Sequence, residues 1–351
     1  MTYPGKNHQI RVGVVGLGFG AAVHIPGFRK LDNVDVVVIA GSQELKAKRI
    51  AKELGVASGI SGYQSILDFK VDAVSIALPP KLNYEAAQFF LSKKIPVLCE
   101  KPISQTVSEA NRLLELSKGV LNAVNFQFAE LNAFKIAKKI IEDEDLGKIE
   151  KIKIKWLTRS FANRNKLENW KRNVAESGGV ISLLVTHTMY LLLWFKSPIV
   201  ILSSQLMSDN EQYTGKLSAE DTCYFQAKLK SGEDVEAYIS NNSKEKTLHM
   251  WEFFCKDGVL VLKNETNDYM SGFQVYIDHG DNKLIEKYVD SGCENNQDGR
   301  IQPFSSLADR FIKSIKTGEI IHPNFYDARL VQKYIDAQFR SHFNKTKVFI
   351  S

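Results

Sequence analysis

Residues 10–24, IRVGVVGLGFGAAVH, limit what this chain can become more than any other stretch. Apolar, β-prone residues run almost without interruption from Ile10 to Val15, as in a strand buried on both faces of a parallel sheet. Gly16-x-Gly18-x-x-Ala21 follows at once and opens a helix. This is the GxGxxA form of a dinucleotide fingerprint. Gly16 permits the tight turn, Gly18 lets a pyrophosphate approach the backbone, and Ala21 keeps helix and strand close, with the helix N-terminus facing the anion. Phe19 and Gly20 belong to the same loop and count as cofactor contacts with it.

The strand–loop–helix unit is repeated in kind. Strand-like runs at 34–40, 71–78, 95–99 and 121–126 alternate with helical segments such as QELKAKRIAKELG and LNYEAAQFFLSKK. Apolar strands separated by helices build a parallel sheet covered on both faces. The expectation is a doubly wound Rossmann domain over residues 1–125.

The end of the second strand selects between nicotinamide cofactors, because an acid there bonds the ribose hydroxyls of NAD. Here the strand ends Ala40-Gly41-Ser42 without an acid, and Lys46, Lys48 and Arg49 follow on the next helix. A small hydroxyl pocket with nearby cations suits a 2′-phosphate, so the reading favours NADP and leaves NAD open. The alternative is that the three cations are solvated helix residues and Ser42 an N-cap.

Beyond residue 125 the rhythm changes. Lys151, Lys153 and Lys155 alternate with Ile152, Ile154 and Trp156, the period of a half-buried strand with a solvated lysine face. After Pro198 come runs at 199–207, 222–229, 234–241, 249–256, 258–263, 273–278 and 284–289, with Ser231-Gly232 and Asp257-Gly258 placed as hairpin turns. Helices return at about 305–317 and 326–343. Residues 126–351 therefore read as an α+β domain with a large, mostly antiparallel open sheet.

Before those strands stands GGVISLLVTHTMYLLLWF, 178–195, with a single histidine, His187, in an apolar run. A membrane span needs roughly 20 apolar residues, so this run reads as a buried helix. A lone histidine in such a helix is ordinarily a core residue.

Composition removes other classes. The net charge of +6 is mild and spread along the chain, so nucleic acid is not expected as a partner. Cys99, Cys223, Cys255 and Cys293 stand far apart without a CxxC pair. They suggest neither a metal site nor a disulfide framework and suit a reducing cytoplasm. The stretch MTYPGKNHQI has no apolar core of the kind a signal peptide carries.

With VLCEKPIS (97–104) the sequence resembles the glucose–fructose oxidoreductase / inositol dehydrogenase (Gfo/Idh/MocA) family. The resemblance extends through GVVGLGFGAAVHIPGF, SIALPPKLNYEAA, VNFQF (124–128), LGKIEKIKIKW, SGGVISLLVTH and NFYDARLVQKYIDA. It implies roles for individual residues. Glu100 orients Lys101 and helps hold the cofactor ribose; Lys101 bonds the oxygen undergoing redox change, and Pro102 fixes the turn. Leu78, Pro79, Asn83 and Gln127 fall at cofactor-binding positions, although many members have histidine at 83 and arginine at 127. His187 gains the role of general acid or base beside the nicotinamide.

The chain departs from the family at Leu183 and Tyr190, where members commonly carry aspartates flanking the histidine. Tyr190, three residues beyond His187, is read as its helper. Arg159, Arg164, Lys166, Trp170, Lys171 and Arg172 precede the Gly178-Gly179 pair. Of these, Trp170, Lys171 and Arg172 are substrate candidates, together with Asp327 of the NFYDA stretch. The resemblance thus implies an oxidoreductase moving hydride to or from a carbohydrate-like alcohol or ketone, and GSQELKAKR (41–49) is similar to the cofactor-selecting segment of members that use NADP. A homo-oligomer is expected, with no membrane and no nucleic acid. Two alternatives stay open: a reductase of a dihydrodiol, imine or tetrapyrrole, and a cofactor-binding sensor without turnover.

Overall fold

The computed structural model describes residues 9–165, 167, 169–209, 211–212, 219–268, 270–281, 283–290 and 298–351. Lys166, Cys293 and residues 1–8, which carry readings above, lie outside them. The chain divides into two compact units: Met1–Gln127 with Arg300–Gln332, and Phe128–Gly299 with Lys333–Ser351.

The first unit opens with β1 (Ile10–Val15), then a π-helical turn (Gly20–His24) that runs into the short helix α1 (Ile25–Phe28). There follow β2 (Val34–Gly41), α2 (Glu44–Glu53), β3 (Ser58–Ser61), β4 (Ala73–Ile76), α3 (Pro80–Ser92), β5 (Val97–Cys99), α4 (Val107–Leu116) and β6 (Asn122–Val124). All six strands are parallel, in the order β3-β2-β1-β4-β5-β6. The sequence ran outward from β1 to β3 and then restarted on the other side at β4. That restart is the switch point at which such sheets bind a nucleotide, beyond the carboxyl ends of the strands.

In the second unit, α5 (Asn132–Glu142) leads to β7 (Ile149–Leu157), the short α6 (Phe161–Arg164), a π-helical turn (Ile181–Val185) and α7 (Thr186–Phe195). The strands β8 (Ile199–Ser208), β9 (Glu211–Gln212), β10 (Thr222–Leu229), β11 (Asp234–Ser240), β12 (Leu248–Cys255), β13 (Gly258–Asn264), β14 (Gln274–Asp278) and β15 (Ile285–Val289) follow. After α8 (Ile301–Thr317) and α9 (Phe325–Asn344), β16 (Val348–Phe349) closes the chain. These strands form a ten-stranded sheet among the described residues, antiparallel except where β7 lies parallel to β11. The fold is therefore a Rossmann domain plus an α+β domain with a large open sheet.

Alternation on β7 works as its sequence implies. Ile152, Ile154 and Trp156 are buried, while Lys151 pairs with Glu236 at 2.8 Å and Lys155 with Glu245 at 3.1 Å. The apolar face is an aromatic layer: Phe134 lies near Phe195 and Phe273, and Phe195 meets Trp251 and Phe253. The apolar helical stretch Val174–Phe195 is long enough by composition to cross a membrane, but most of it is buried inside the protein. Its apolarity serves the core.

The contact-based division of the chain does not follow a single cut. A single cut at residue 125 assigned everything after it to the second domain, yet Arg300–Gln332 belongs to the first unit. The reason is apolar spacing on α8. Phe304, Leu307, Ala308, Phe311, Ile312 and Ile315 line one helical face and join Ile10, Val12, Val14, Val23 and Phe28 in one core.

Candidate functional site

The loop after β1 has the geometry a phosphate-binding turn requires. Gly16 sits at φ +118°, and a Cβ there would come within 2.3 Å of the Ala77 carbonyl oxygen. Only glycine fits that turn. Around Gly18 no heavy atom lies within 4 Å of where a Cβ would stand, so its backbone faces open space. Phe19 and Gly20 stand at the start of the helical turn, where N–H groups lack intrahelical partners. The closest approach to β1 occurs at Gly20, whose added Cβ would meet Val14 at 3.0 Å, while Ala21 is half-buried. Both residues pack there, since Ala21 also lies against the core that holds Ile10, Val12 and Val14. The guanidinium of Arg300 lies 4.9 Å from the centre of the Phe19 ring.

Leu78 and Pro79, half-buried, leave the carboxyl end of β4. Asn83, fully buried, fastens that exit to the next one. Its Oδ1 accepts the Leu78 N–H at 3.0 Å, and its Nδ2 donates to the carbonyls of Glu100 and Pro102 at 3.2 and 3.1 Å. Both amide hydrogens are used inside the protein, so Asn83 acts on the site by holding the two loops.

Beyond β5, the Glu100 carboxylate collects three donors. His24 Nε2 lies 3.2 Å from Oε1, Asn125 donates from Nδ2 to the same oxygen at 2.5 Å, and the Lys101 N–H donates to Oε2 at 3.3 Å. The Lys101–Pro102 peptide is cis. The Lys101 side chain is half-buried and Gln127 buried. Asn125 Oδ1 is buried with no hydrogen-bond partner among the described residues. A dinucleotide therefore fits this unit: an open glycine backbone for its phosphates, and an anchored Glu-Lys with an unanswered buried acceptor beside it.

At the tip of β2, a Cβ on Gly41 would strike the Leu17 side chain at 2.4 Å, while Ser42 is exposed. Lys46 is exposed and makes no ion pair among the described residues. Lys48 and Arg49 instead pair along the helix with Glu44 at 2.6 Å and Glu53 at 3.7 Å. All three cations are exposed on α2.

Asp327 lies in this unit as well, 8% exposed. Its Oδ2 accepts the Asn324 N–H at 2.8 Å and faces His322 Nδ1 at 2.7 Å, while Asn324 Oδ1 accepts the Tyr326 N–H. This is a reciprocal cap on α9. The carboxylate thus has a local partner set at the start of α9.

In the second unit, His187 is 4% exposed, its ring edge-on to Phe128 at 4.9 Å and 6.5 Å from Trp156. Phe128 also touches His249, which stacks on Trp156 at 3.9 Å and accepts from Trp251 Nε1 at 3.0 Å. Burial drives the His249 pKa down to about 3, so that ring is neutral. Leu183 is half-buried and Tyr190 buried on the His187 helix. Trp170, Lys171 and Arg172 form a short turn whose carbonyls receive N–H groups from the segments beside it: Gly179 to Lys171 at 2.8 Å and Ala219 to Arg172 at 3.0 Å. Lys171 is exposed; Trp170 and Arg172 are half-buried.

Three residues had escaped sequence reading: His24, Asn125 and Glu220. Glu220 is 2% exposed and accepts the Ile181 N–H at 3.1 Å. Burial lifts its pKa to about 8. The only local signal for it was the Gly178-Gly179 pair, since an added Cβ on Gly179 would meet the Glu220 carboxyl at 2.2 Å. Among the described residues no cluster of three or more ligating side chains gathers as a metal site would need.

Comparison with known proteins places the chain. Residues 10–126 match the model of an oxidoreductase family, NAD-binding Rossmann fold, and residues 138–350 match that family's C-terminal alpha/beta domain. An uncharacterized oxidoreductase of Synechocystis is 27% identical, covering 97% of this chain and 96% of its own. The myo-inositol 2-dehydrogenase of Thermotoga maritima is 24% identical, covering 88% and 89%. Among solved structures, levoglucosan dehydrogenase in complex with NADH and L-sorbose superposes with a TM-score of 0.86 at 20% identity, covering 98% and 99%.

Proposed function

This chain belongs to the Gfo/Idh/MocA oxidoreductase family, and on that premise we propose that it is an NADP-preferring enzyme of carbohydrate-like alcohols or ketones. The observation that carries the reading is the Glu100–Lys101 junction, held by Asn83, His24 and Asn125 at the strand ends that also carry Gly16 and Gly18. A nicotinamide held by these residues would supply or accept the hydride. Lys101 bonds the substrate oxygen, and its positive charge lowers the alcohol pKa and stabilises alkoxide character as hydride leaves.

The substrate class is supported by the relatives, whose names specify myo-inositol and levoglucosan. NADP preference is supported by Gly41-Ser42 without an acid and by Lys46. His187 is the proton-transfer residue in this reading, with Tyr190 on the same helix as helper and Trp170, Lys171 and Arg172 as substrate contacts. A homo-oligomer built on the open sheet and a cytoplasmic location complete the proposal.

One observation favours a second reading. His187 is buried against Phe128 and has no carboxylate on its own helix, which suits a core residue and a reductase that draws its proton elsewhere. The experiment is turnover of sugars, polyols, sugar phosphates and nucleotide sugars with NADP⁺ and NAD⁺, and of the matching ketones with NADPH and NADH. Activity on dihydrodiols or imines with none on any sugar would overturn the substrate class.

A further inference from the structure

His24 is fully buried, and both of its ring nitrogens meet side chains rather than backbone. Nδ1 lies 2.8 Å from Ser75 Oγ on β4, and Nε2 lies 3.2 Å from Glu100 Oε1 just beyond β5. The ring stacks on Phe304 of α8 at 4.1 Å and 14°, with Phe19 edge-on at 5.4 Å. A carboxylate oxygen accepts, so Nε2 is the donor in its pair, while the Ser75 hydroxyl, able to donate or accept, holds Nδ1.

We infer that His24 is a positioning residue, the rigid donor that orients the Glu100 carboxylate towards the cofactor. The inference rests on the cofactor reading above. Glu100 Oε1 receives two donors, but they are not equivalent. The Asn125 amide is tied to Glu100 through Nδ2, while its Oδ1 has no partner among the described residues, so nothing resists its rotation from the far side. His24 is held on three sides, by Ser75, by Phe304 and by the turn that carries it. The Lys101 N–H binds the other oxygen, Oε2, and Lys101 follows Glu100 directly in the chain. A swing of the Glu100 carboxylate would therefore disturb the start of the Lys101 loop.

The test uses two substitutions that separate the ring nitrogens. Glutamine places an amide N–H near the position of Nε2, and asparagine reaches only to the level of Nδ1. NADPH dissociation constants are measured by fluorescence titration on the full chain, with thermal unfolding run in parallel. His24→Asn should weaken NADPH by about tenfold, the scale of one lost hydrogen bond to a charged group. His24→Gln should stay within about twofold of the wild type, and Ser75→Ala, which only loosens the ring, should fall between them. Combining His24→Asn with Glu100→Ala, which removes the acceptor itself, should weaken binding no further than Glu100→Ala alone, because the two act through one contact. Equal losses in the Asn and Gln variants, or additive losses in the double variant, would overturn the inference. A wild-type chain that binds neither NADPH nor NADH would sink the cofactor reading beneath it instead.

Discussion

The carboxyl of Glu220 caps the helical stretch that carries His187, accepting the N–H of Ile181 at 3.1 Å in a site 2% exposed to solvent. The room it occupies exists because residue 179 has no side chain. Burial raises the Glu220 pKa to about 8, so the neutral acid is the form the folded protein prefers.

The pH dependence follows from that shift. Below the unfolded value of 4.5 both states hold the proton and Glu220 contributes no slope. Between there and about 8 the folded state holds more protons, so stability falls as pH rises, by up to about 1.4 kcal/mol per pH unit. Glu220→Gln keeps an oxygen for Ile181 and removes the titration. Its Tm should decline less between pH 5 and 8 than that of the wild type. Parallel Tm profiles in the two proteins would show that Glu220 does not titrate in this range.

Cofactor choice can be tested at the tip of β2. Gly41→Asp would drive a side chain into Leu17, whose atoms lie 2.4 Å from the added Cβ, so a loss of binding there would be ambiguous. Ser42 is exposed and offers the cleaner site. Titration of the wild type should show NADPH bound several-fold tighter than NADH, and Ser42→Asp should shift the ratio towards NADH by opposing the 2′-phosphate. Equal or tighter NADH binding by the wild type would remove the NADP preference.

Lys101 carries the chemical part of the proposal. Lys101→Ala should lower turnover by roughly 10²–10³, the usual loss for one charge-stabilising donor, with cofactor affinity changed only a few-fold. Steady-state rates on the best substrate, with NADPH titration alongside, measure both. Turnover close to normal would take Lys101 out of the mechanism.

What was legible in the sequence depended on how local its cause was. Gly16 and Gly18 sit on a strand–turn–helix that any reader can see, and β7 shows its lysine face by strict alternation. The edge strand β3, Ser58–Ser61, was invisible because its four residues pair only with β2 and need no apolar run. Helix α8 was seen as a helix, but nothing local says that its Phe304 belongs against residues nearly 280 positions earlier. His24 and Glu220 were missed for the same reason: their partners, Ser75 and Ile181, are far away in sequence. For Lys48 and Arg49 the solvated-helix alternative was visible at once, since Glu44 and Glu53 stand four residues away from them.

His187 decides between the two readings of the second unit. As a general acid or base, its removal should cut turnover by roughly 10²–10⁴ and leave stability nearly unchanged. As a core residue packed on Phe128, truncation should instead leave a cavity and destabilise the fold by about 2–4 kcal/mol, with surviving molecules near normal in rate. Two substitutions separate these outcomes. His187→Ala removes both packing and proton transfer, whereas His187→Phe keeps an aromatic ring against Phe128 and removes only the proton. The catalytic reading expects both variants to be slow. The core reading expects the phenylalanine variant to be stable and fast. Tyr190→Phe adds a third measurement: because no carboxylate stands on this helix, a His187 that works through Tyr190 should lose rate when that hydroxyl is removed. Denaturant unfolding and steady-state kinetics on the same preparations supply every number required. A fast, stable His187→Phe protein would end the case for proton transfer at this position and leave Lys101 as the catalytic group of the proposal.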